Sequence, residues 1–298
     1  MNVNNEQPVE ATYVDENRRV TRGKDALELI KARKHDNGDP EKGVTKVDDE
    51  RWQEAQRYER RTWMEGIAAI SDRNEDHEQR FDQYSALRGI HFGSAIELGC
   101  GPFTNLRKIL SYCTIDDIHL LDPLSGDYLN HPFCRYKDRR LGGILKTSLI
   151  PWTKKGGLKH PLRFYRHKWD EFKIGGLSGR PITLHQTGIE DFSPSQTYDL
   201  CVMINVIEHC KDIDQIFANI LKMTKSGSYF IFADKAYHAK EEEAYSSQNF
   251  DAGHPLRVDY SIIREFLQGN FDPVHDKEYN EQEPFREYTA NYFIGKRT

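Results

Sequence analysis

A short apolar segment runs into a glycine-lined bend at Ser94-Ala95-Ile96-Glu97-Leu98-Gly99-Cys100-Gly101-Pro102-Phe103-Thr104-Asn105. Its first five residues predict a strand, and the residues from 104 onward predict a helix. Glycines at such a turn let the backbone approach a ligand closely, and the first turn of the helix offers free N–H groups. The pattern therefore predicts a binding site at this bend.

A carboxylate follows the next predicted strand, which spans residues 117–121 and ends at Asp122-Pro123. An acid about twenty residues beyond a glycine bend can accept hydrogen bonds from both hydroxyls of a ribose. The two elements suit any adenosine-containing cofactor, NAD included. The dinucleotide fingerprint, however, would place a third glycine at position 104, where this chain has Thr104.

Strand and helix patterns alternate from residue 94 almost to the end of the chain. Further strands are predicted at 182–186, 198–204, 228–233, 274–279 and 288–294, and helices at 104–111, 213–224 and 261–268. Strands separated by helices predict a parallel sheet with right-handed crossovers. The last two strands have only a short connection, so we expect them to be antiparallel.

Three other segments complete the predicted organisation. Residues 1–50 are polar and charged, which predicts a mobile N-terminal arm with one short helix at 25–34. The main domain is predicted to span 51–298, and apolar residues at helical spacing over 52–70 and 76–87 predict a helical lid at 51–90. Residues 128–181 interrupt the alternation and are interpreted as an insertion between the second and third strands.

The insertion is strongly basic inside a chain whose net charge is −5. Residues 131–180 contain thirteen Lys and Arg residues against three acidic ones, with aromatic residues interleaved. Such a segment can pair phosphates and stack on rings. The alternative is a solvated excursion that docks on the acidic remainder of the chain.

The cellular location of the protein is predicted from the length of its apolar runs and the spacing of its cysteines. The sequence contains no apolar run long enough for a membrane span and begins without a visible secretory signal. Its five cysteines form no C-x-x-C pair, which predicts reduced thiols rather than a zinc or redox site. We therefore expect a cytoplasmic protein.

Taken with two later motifs, the bend and Asp122 resemble class I S-adenosylmethionine-dependent methyltransferases. The resemblance covers about 94–126 and 182–294, and it includes an adenine-side loop at 188–192 and a fourth-strand motif at 198–209. It implies a doubly wound α/β fold: a mostly parallel seven-stranded Rossmann-like sheet with N-terminal helices and an insertion between strands 2 and 3. Two positions depart from the family pattern, namely Phe103 in place of the usual third glycine and Gly188 in place of an acid or amide.

The resemblance also implies a cofactor, S-adenosylmethionine, with S-adenosylhomocysteine as product. The backbone of the bend would hold the methionine portion, the acid after the second strand the ribose, the adenine-side loop the adenine edge, and the end of the fourth strand the floor of the pocket. The cofactor-binding residues implied in this way are Glu97, Gly99, Cys100, Gly101, Asp122, Pro123, Ile189, Glu190, Asn205 and Val206.

Methyl transfer is a direct displacement, so a base is needed only where the acceptor carries a proton. His209 follows the fourth strand and His254 precedes the last helix, and both are candidate catalytic residues. The alternative to a catalytic role for His209 is a structural role or a role on the cofactor side. No metal is predicted, because Asp234 alone among the carboxylates follows a strand where metal-dependent relatives cluster several acids.

The sequence favours O-methylation of a sugar, a glycan or another anionic small molecule. Methylation of a nucleic acid or a protein is the first alternative, and a non-catalytic S-adenosylmethionine-binding module is the second. Nucleic acid is disfavoured for two reasons. The chain is acidic overall, and its fourth strand ends in Asn205-Val206-Ile207 rather than in the Asp/Asn-Pro-Pro-aromatic pattern that resembles enzymes methylating base amines. The acceptor atom and the oligomeric state are left open by the sequence.

Overall fold

The computed structural model describes residues 10–33, 38–39, 41–65, 73–131, 134–136, 177, 180–283 and 286–298. Most of the predicted basic insertion at 128–181 lies outside these residues, as do the first nine residues of the predicted N-terminal arm. Within the described residues, no helix combines the length and the apolar character that crossing a membrane requires.

The strands of the described residues are, in chain order, β1 (Thr12–Val14), β2 (Val20–Arg22), β3 (Gly43–Val44), β4 (His91–Leu98), β5 (Thr114–Leu121), β6 (Ile182–His185), β7 (Tyr198–Ile204), β8 (Thr224–Ala236), β9 (Asn249–Asp251), β10 (Arg257–Val258), β11 (Phe271–Glu283) and β12 (Arg286–Arg297). The α-helices are α1 (Gly23–Ala32), α2 (Asp49–Glu65), α3 (Asn74–Arg80), α4 (Leu106–Ile109), α5 (Ser125–Tyr128), α6 (Ile213–Met223), α7 (Ala239–Ser246) and α8 (Tyr260–Asn270). The described residues also form two short 3₁₀ helices, Asp82–Leu87 and Ile207–His209.

Seven of these strands form one sheet in the order β11-β12-β8-β7-β4-β5-β6. The pairs among β6, β5, β4, β7 and β8 are parallel, while β12 is antiparallel to both β8 and β11. This arrangement confirms the predicted doubly wound, mostly parallel fold with a closing antiparallel pair. Because β4 has β5 on one side and β7 on the other, strand order reverses at β4, and ligands bind at such a switch point.

Both faces of the sheet are covered, which is why its central strands are apolar on both sides. Along β7, Cys201 and Met203 belong to one buried cluster, while Val202 and Ile204 belong to the other. The helices α6 and α8 cover the first face. Residues of the 3₁₀ helix Asp82–Leu87 and of α4 cover the second.

The N-terminal region contains more regular structure than its sequence pattern indicates. Strand β1 pairs antiparallel with β2 and parallel with β9, which lies more than two hundred residues later in the chain. Arg51 of α2 donates to the carbonyl oxygens of Asp251 and Ala252, which ties α2 to the same segment. Sequence analysis predicted one helix here and missed both strands, because each strand has only three residues and β1 pairs with the distant β9.

Candidate active site

A cavity of about 120 Å³ lies at the carboxyl ends of β4, β5 and β7, at the switch point of the sheet. Helix α2 contributes four side chains to its wall, and the segment around α3 contributes three more. Nine of the ten cofactor-binding residues predicted from the sequence line this cavity: Gly99, Cys100, Gly101, Asp122, Pro123, Ile189, Glu190, Asn205 and Val206.

The bend after β4 requires glycine at Gly99 for two reasons. Its φ is +64°, and a Cβ built there would lie 2.6 Å from both γ carbons of Val206. Gly101 also has a positive φ, +51°, but a Cβ there would meet nothing within 4 Å. The first glycine therefore lets the bend pass Val206 at the end of β7, while the second leaves the backbone accessible on its open side.

Asp122 closes the bend from the end of β5. Its carboxylate accepts hydrogen bonds from the backbone N–H of Gly101, at 3.0 Å, and of Leu124, at 2.8 Å. Burial raises the pKa of this carboxyl group to about 6. Each oxygen keeps a further lone pair for a ligand hydroxyl, since a carboxylate has about four acceptor positions.

Glu97 is the predicted residue that does not reach the cavity. It is 1% exposed and lies beneath the bend. Its carboxylate accepts from the Thr104 hydroxyl, from the Asn105 N–H at 2.7 Å and from the Leu106 N–H at 3.2 Å. Burial raises the pKa of Glu97 although these donors oppose the shift. Its observed contacts hold the start of α4 and not a ligand.

The loop at the far wall is held by a residue that sequence analysis missed. The buried Asn219 of α6 donates from Nδ2 to the carbonyl oxygens of Ile189, Glu190 and Phe192, at 2.8, 3.1 and 3.3 Å. The Glu190 carboxylate itself turns to the backbone N–H groups of Lys211 and Asp212. The loop is therefore positioned mainly from α6 and from the segment leading into it.

We expect Asn219→Ala to lower the free energy of unfolding by about 1–2 kcal/mol, because three carbonyl groups of the loop, two of them buried, lose their donor. Denaturant unfolding measures this loss. Lys222→Ala is the matched control on the same helix, since its ammonium contacts Asn219 Oδ1 at the surface-facing side of the network. Equal stability of the two variants would contradict the role of Asn219.

The end of β7 is fixed by a buried carboxylate from the neighbouring strand. Asp234 accepts from the backbone N–H groups of Val206 and Ile207, at 2.8 and 2.6 Å. Asn205 just before them has a φ of +59°, and its N–H donates to the carbonyl oxygen of Ala233. Burial, with a smaller contribution from the nearby Glu208 carboxylate, raises the pKa of Asp234 to about 6.

Aromatic and polar side chains from outside the sheet complete the wall. Glu59 of α2 accepts from the indole N–H of Trp63 at 2.9 Å, and its other oxygen lies 3.6 Å from His209 Nδ1. Phe103, which stands at the position of the missing glycine, packs edge-on against Trp63 with ring centroids 5.9 Å apart. Sequence analysis singled out neither Glu59 nor Trp63, because nothing local to α2 marks which face meets the sheet.

The two candidate catalytic histidines lie together but differ in their access to the cavity. His209 lines it, whereas His254 does not. Their ring centroids are 5.0 Å apart, and His254 Nδ1 is hydrogen-bonded to Asp251 at 2.7 Å. Burial alone would lower the pKa of His254, but the carboxylates of Asp251 and Glu208 outweigh it and raise that pKa to about 9.

The chain is similar to one family model and to several solved structures. A family model described as a methyltransferase domain matches residues 55–275. Among solved structures, the N-methyltransferase NodS from Bradyrhizobium japonicum WM9, in complex with S-adenosyl-L-homocysteine, is 17% identical over 83% of this chain and 99% of that chain, with a TM-score of 0.48. A SAM-dependent methyltransferase from Leishmania major is 15% identical over 96% of both chains, with a TM-score of 0.46. No curated protein matches the chain.

Proposed function

The chain belongs to the methyltransferase domain family and is an S-adenosylmethionine-dependent methyltransferase, and on that premise we propose that it methylates an oxygen of a sugar, a glycan or another anionic small molecule. S-adenosylmethionine is its cofactor. The choice of acceptor is supported by a cavity whose lining includes Arg73 together with the glycine bend and Asp122.

The convergence of the glycine bend and Asp122 on one cavity is the observation that carries our assignment of the donor site. In this proposal the backbone of the bend holds the methionine portion and Asp122 holds the ribose. Ile189 and Glu190 bound the adenine, and Asn205 and Val206 form the floor. Pro123 lies beside the ribose. Glu97 acts indirectly, by holding the loop that follows the bend.

The chemistry proposed is an in-line displacement. The bond from sulfur to the methyl carbon breaks, with its electron pair left on sulfur, as the acceptor oxygen forms its bond to that carbon, and the acceptor hydroxyl releases its proton to bulk solvent. Trp52, Trp63 and Phe103 line the cavity and exclude water, which favours the attack geometry. We assign His209 and His254 to the acceptor side, with His209 at the wall and His254 behind it.

An anionic acceptor is supported by two arginines near this wall. Arg73 lines the cavity, and the guanidinium carbon of Arg135 lies 6.0 Å from the centroid of the Phe103 ring. Guanidinium groups bind carboxylates and phosphates through paired hydrogen bonds. Arg135 belongs to the predicted basic insertion, whose remaining basic residues lie, with the exception of Arg180, outside the described residues.

We also propose a cytoplasmic location for the protein. All five cysteines are buried, and no disulfide bond joins them. Free thiols persist in a reducing compartment, which is the basis of this proposal.

The test is transfer of label from methyl-labelled S-adenosylmethionine to extract fractions separated by anion exchange, with Asp122→Ala as the negative control. A labelled small molecule in an anion-binding fraction is expected. Labelling confined to nucleic acid or protein would overturn the proposal, and polyanion binding that weakens steeply with salt would identify that alternative. Donor binding without turnover, with biological activity that survives Asp122→Ala, would identify the non-catalytic alternative.

The raised pKa of Asp122 predicts that donor binding depends on pH. Since the ionised carboxylate accepts the ribose hydroxyls in our proposal, affinity for S-adenosylhomocysteine should fall as pH decreases through about 6. Protonation of this one group weakens binding about fourfold between pH 7 and pH 5.5. Calorimetry across this range measures the change, and Asp122→Asn should flatten it. The same slope in the Asn variant would assign the dependence to another group.

A further inference from the structure

Three potential metal ligands lie at the edge of the cavity on the His209 side. They are Glu208, His209 and His254, and their ligand atoms all lie within 4.8 Å of one another. Glu208 Oε1 is 3.8 Å from His209 Nε2 and 3.6 Å from His254 Nε2. The side chain of Glu208 is 3% exposed, and those of the two histidines are 17% and 23% exposed. One carboxylate oxygen thus faces two imidazole nitrogens in a sheltered position.

The Nδ1 atoms of the two imidazoles are each hydrogen-bonded to an acceptor oxygen. His209 Nδ1 lies 3.0 Å from the carbonyl oxygen of Gly253, and His254 Nδ1 lies 2.7 Å from the carboxylate of Asp251. Since a carbonyl or carboxylate oxygen can only accept, both Nδ1 atoms donate. This leaves both Nε2 atoms directed at Glu208. Histidines that ligate metals are oriented in this way, by a second hydrogen bond on the opposite ring nitrogen.

Glu208 is oriented in the same manner. Its Oε2 accepts from the Tyr237 hydroxyl at 2.7 Å and lies 3.9 Å from Lys235 Nζ. Its Oε1 is the oxygen that faces the histidines. The three side chains therefore direct one oxygen and two nitrogens to a common point, and each is fixed from behind by a different neighbour.

We propose that Glu208, His209 and His254 bind one divalent transition-metal ion of the Zn²⁺ and Fe²⁺ class. In tetrahedral coordination with bonds of about 2.0–2.1 Å, ligand atoms stand about 3.3–3.4 Å apart. The two separations that involve Glu208, 3.6 and 3.8 Å, need a contraction of a few tenths of an ångström, and the separation between the two histidine ligand atoms is at most 4.8 Å. Two imidazoles and one carboxylate favour such ions over Mg²⁺ or Ca²⁺, which prefer oxygen ligands.

With three protein ligands, the ion keeps a coordination position for a water or substrate oxygen. An ion bound there would act as a Lewis acid toward an acceptor hydroxyl; this role rests on the proposed function, whereas the site itself does not. No metal was expected from the sequence, because that expectation rested only on the carboxylates that follow strands. The site instead pairs a glutamate and a histidine from the end of β7 with a histidine 45 residues further along the chain.

The test is titration of the chelator-treated full-length protein, without an affinity tag, with Co²⁺ followed by visible absorption, and competition by Zn²⁺. We expect one ion per chain. His254→Gln and Glu208→Gln should each weaken binding by at least about 100-fold, and Asp251→Asn by about 10- to 100-fold, the range for a residue that orients a ligand. His91→Gln is the matched control, because His91 is exposed and pairs with Asp116 away from the cavity. It should bind like the wild type.

S-adenosylhomocysteine affinity is measured on the same samples. His254 lies outside the cavity wall, so its variant should keep that affinity, which shows that the fold is intact. Absence of stoichiometric Co²⁺ or Zn²⁺ binding by the wild type, or unchanged binding in the Gln variants, would overturn the metal site and leave the proposed function standing. Metal binding without methylation of any small molecule would uphold the site and refute the proposed function.

Discussion

Asp122→Ala is expected to weaken binding of S-adenosylmethionine and S-adenosylhomocysteine by at least about tenfold, roughly 1.4 kcal/mol. The substitution removes the carboxylate that we propose accepts the ribose hydroxyls. It also removes the acceptor for the N–H groups of Gly101 and Leu124, so the bend loses its link to the end of β5. Calorimetry with both ligands measures the effect.

Two further variants separate the parts of this effect. Asp122→Asn keeps the shape of the side chain and one acceptor oxygen, so its affinity should fall between those of the wild type and the Ala variant. Asp116→Ala removes an exposed carboxylate near the start of β5 and should change nothing. Wild-type affinity in Asp122→Ala would refute the assignment of Asp122 to the ribose.

Gly99→Ala is expected to destabilise the protein by about 2–4 kcal/mol and to abolish tight donor binding. Part of this cost is the positive φ of +64°, which an L residue adopts only with strain. The rest is overlap of the new Cβ with the γ carbons of Val206, 2.6 Å away. Relief requires the bend and the end of β7 to move apart, and both border the cavity. Denaturant unfolding measures the stability change.

Gly269→Ala is the control for Gly99→Ala. Gly269 lies in α8, and a Cβ built there meets nothing within 4 Å. Alanine in a helix is preferred over glycine by up to about 1 kcal/mol, so this variant should be as stable as the wild type or more so. If Gly99→Ala were as stable as Gly269→Ala, the close approach of the bend to Val206 would be wrong.

Much of the proposed donor site was predictable because its residues stand next to strand ends. Gly99 and Asp122 follow β4 and β5 directly, and parallel strands bring their carboxyl ends to one edge. Glu97 shows the limit of this reasoning. It belongs to the same motif, but its carboxylate is held by the hydroxyl of Thr104 and the N–H groups of Asn105 and Leu106 and does not reach the cavity. A motif identifies the segment, while the direction of each side chain follows from the fold.

The residues that complete the cavity from outside the sheet were less predictable, because they come from distant segments. Glu59 and Trp63 lie on α2, whose helical period marks an apolar face but not the element that it covers. Asn219 lies in the middle of α6, where the neighbouring residues do not indicate a role for an asparagine. Their roles arise from the packing of these helices against the sheet, which no short stretch of sequence records.

The sequence alone determined the order of the strands in the main sheet, the glycine bend and the acid after β5, since each depends on residues adjacent in the chain. Tertiary structure alone brought His254 to Glu208 and His209 and turned both Nε2 atoms to one oxygen. The physical reason is that this contact joins the end of β7 to the loop after β9, and its geometry depends on partners such as Asp251 and Gly253. Periodicity specifies an element, whereas the meeting of two loops depends on how all the elements pack.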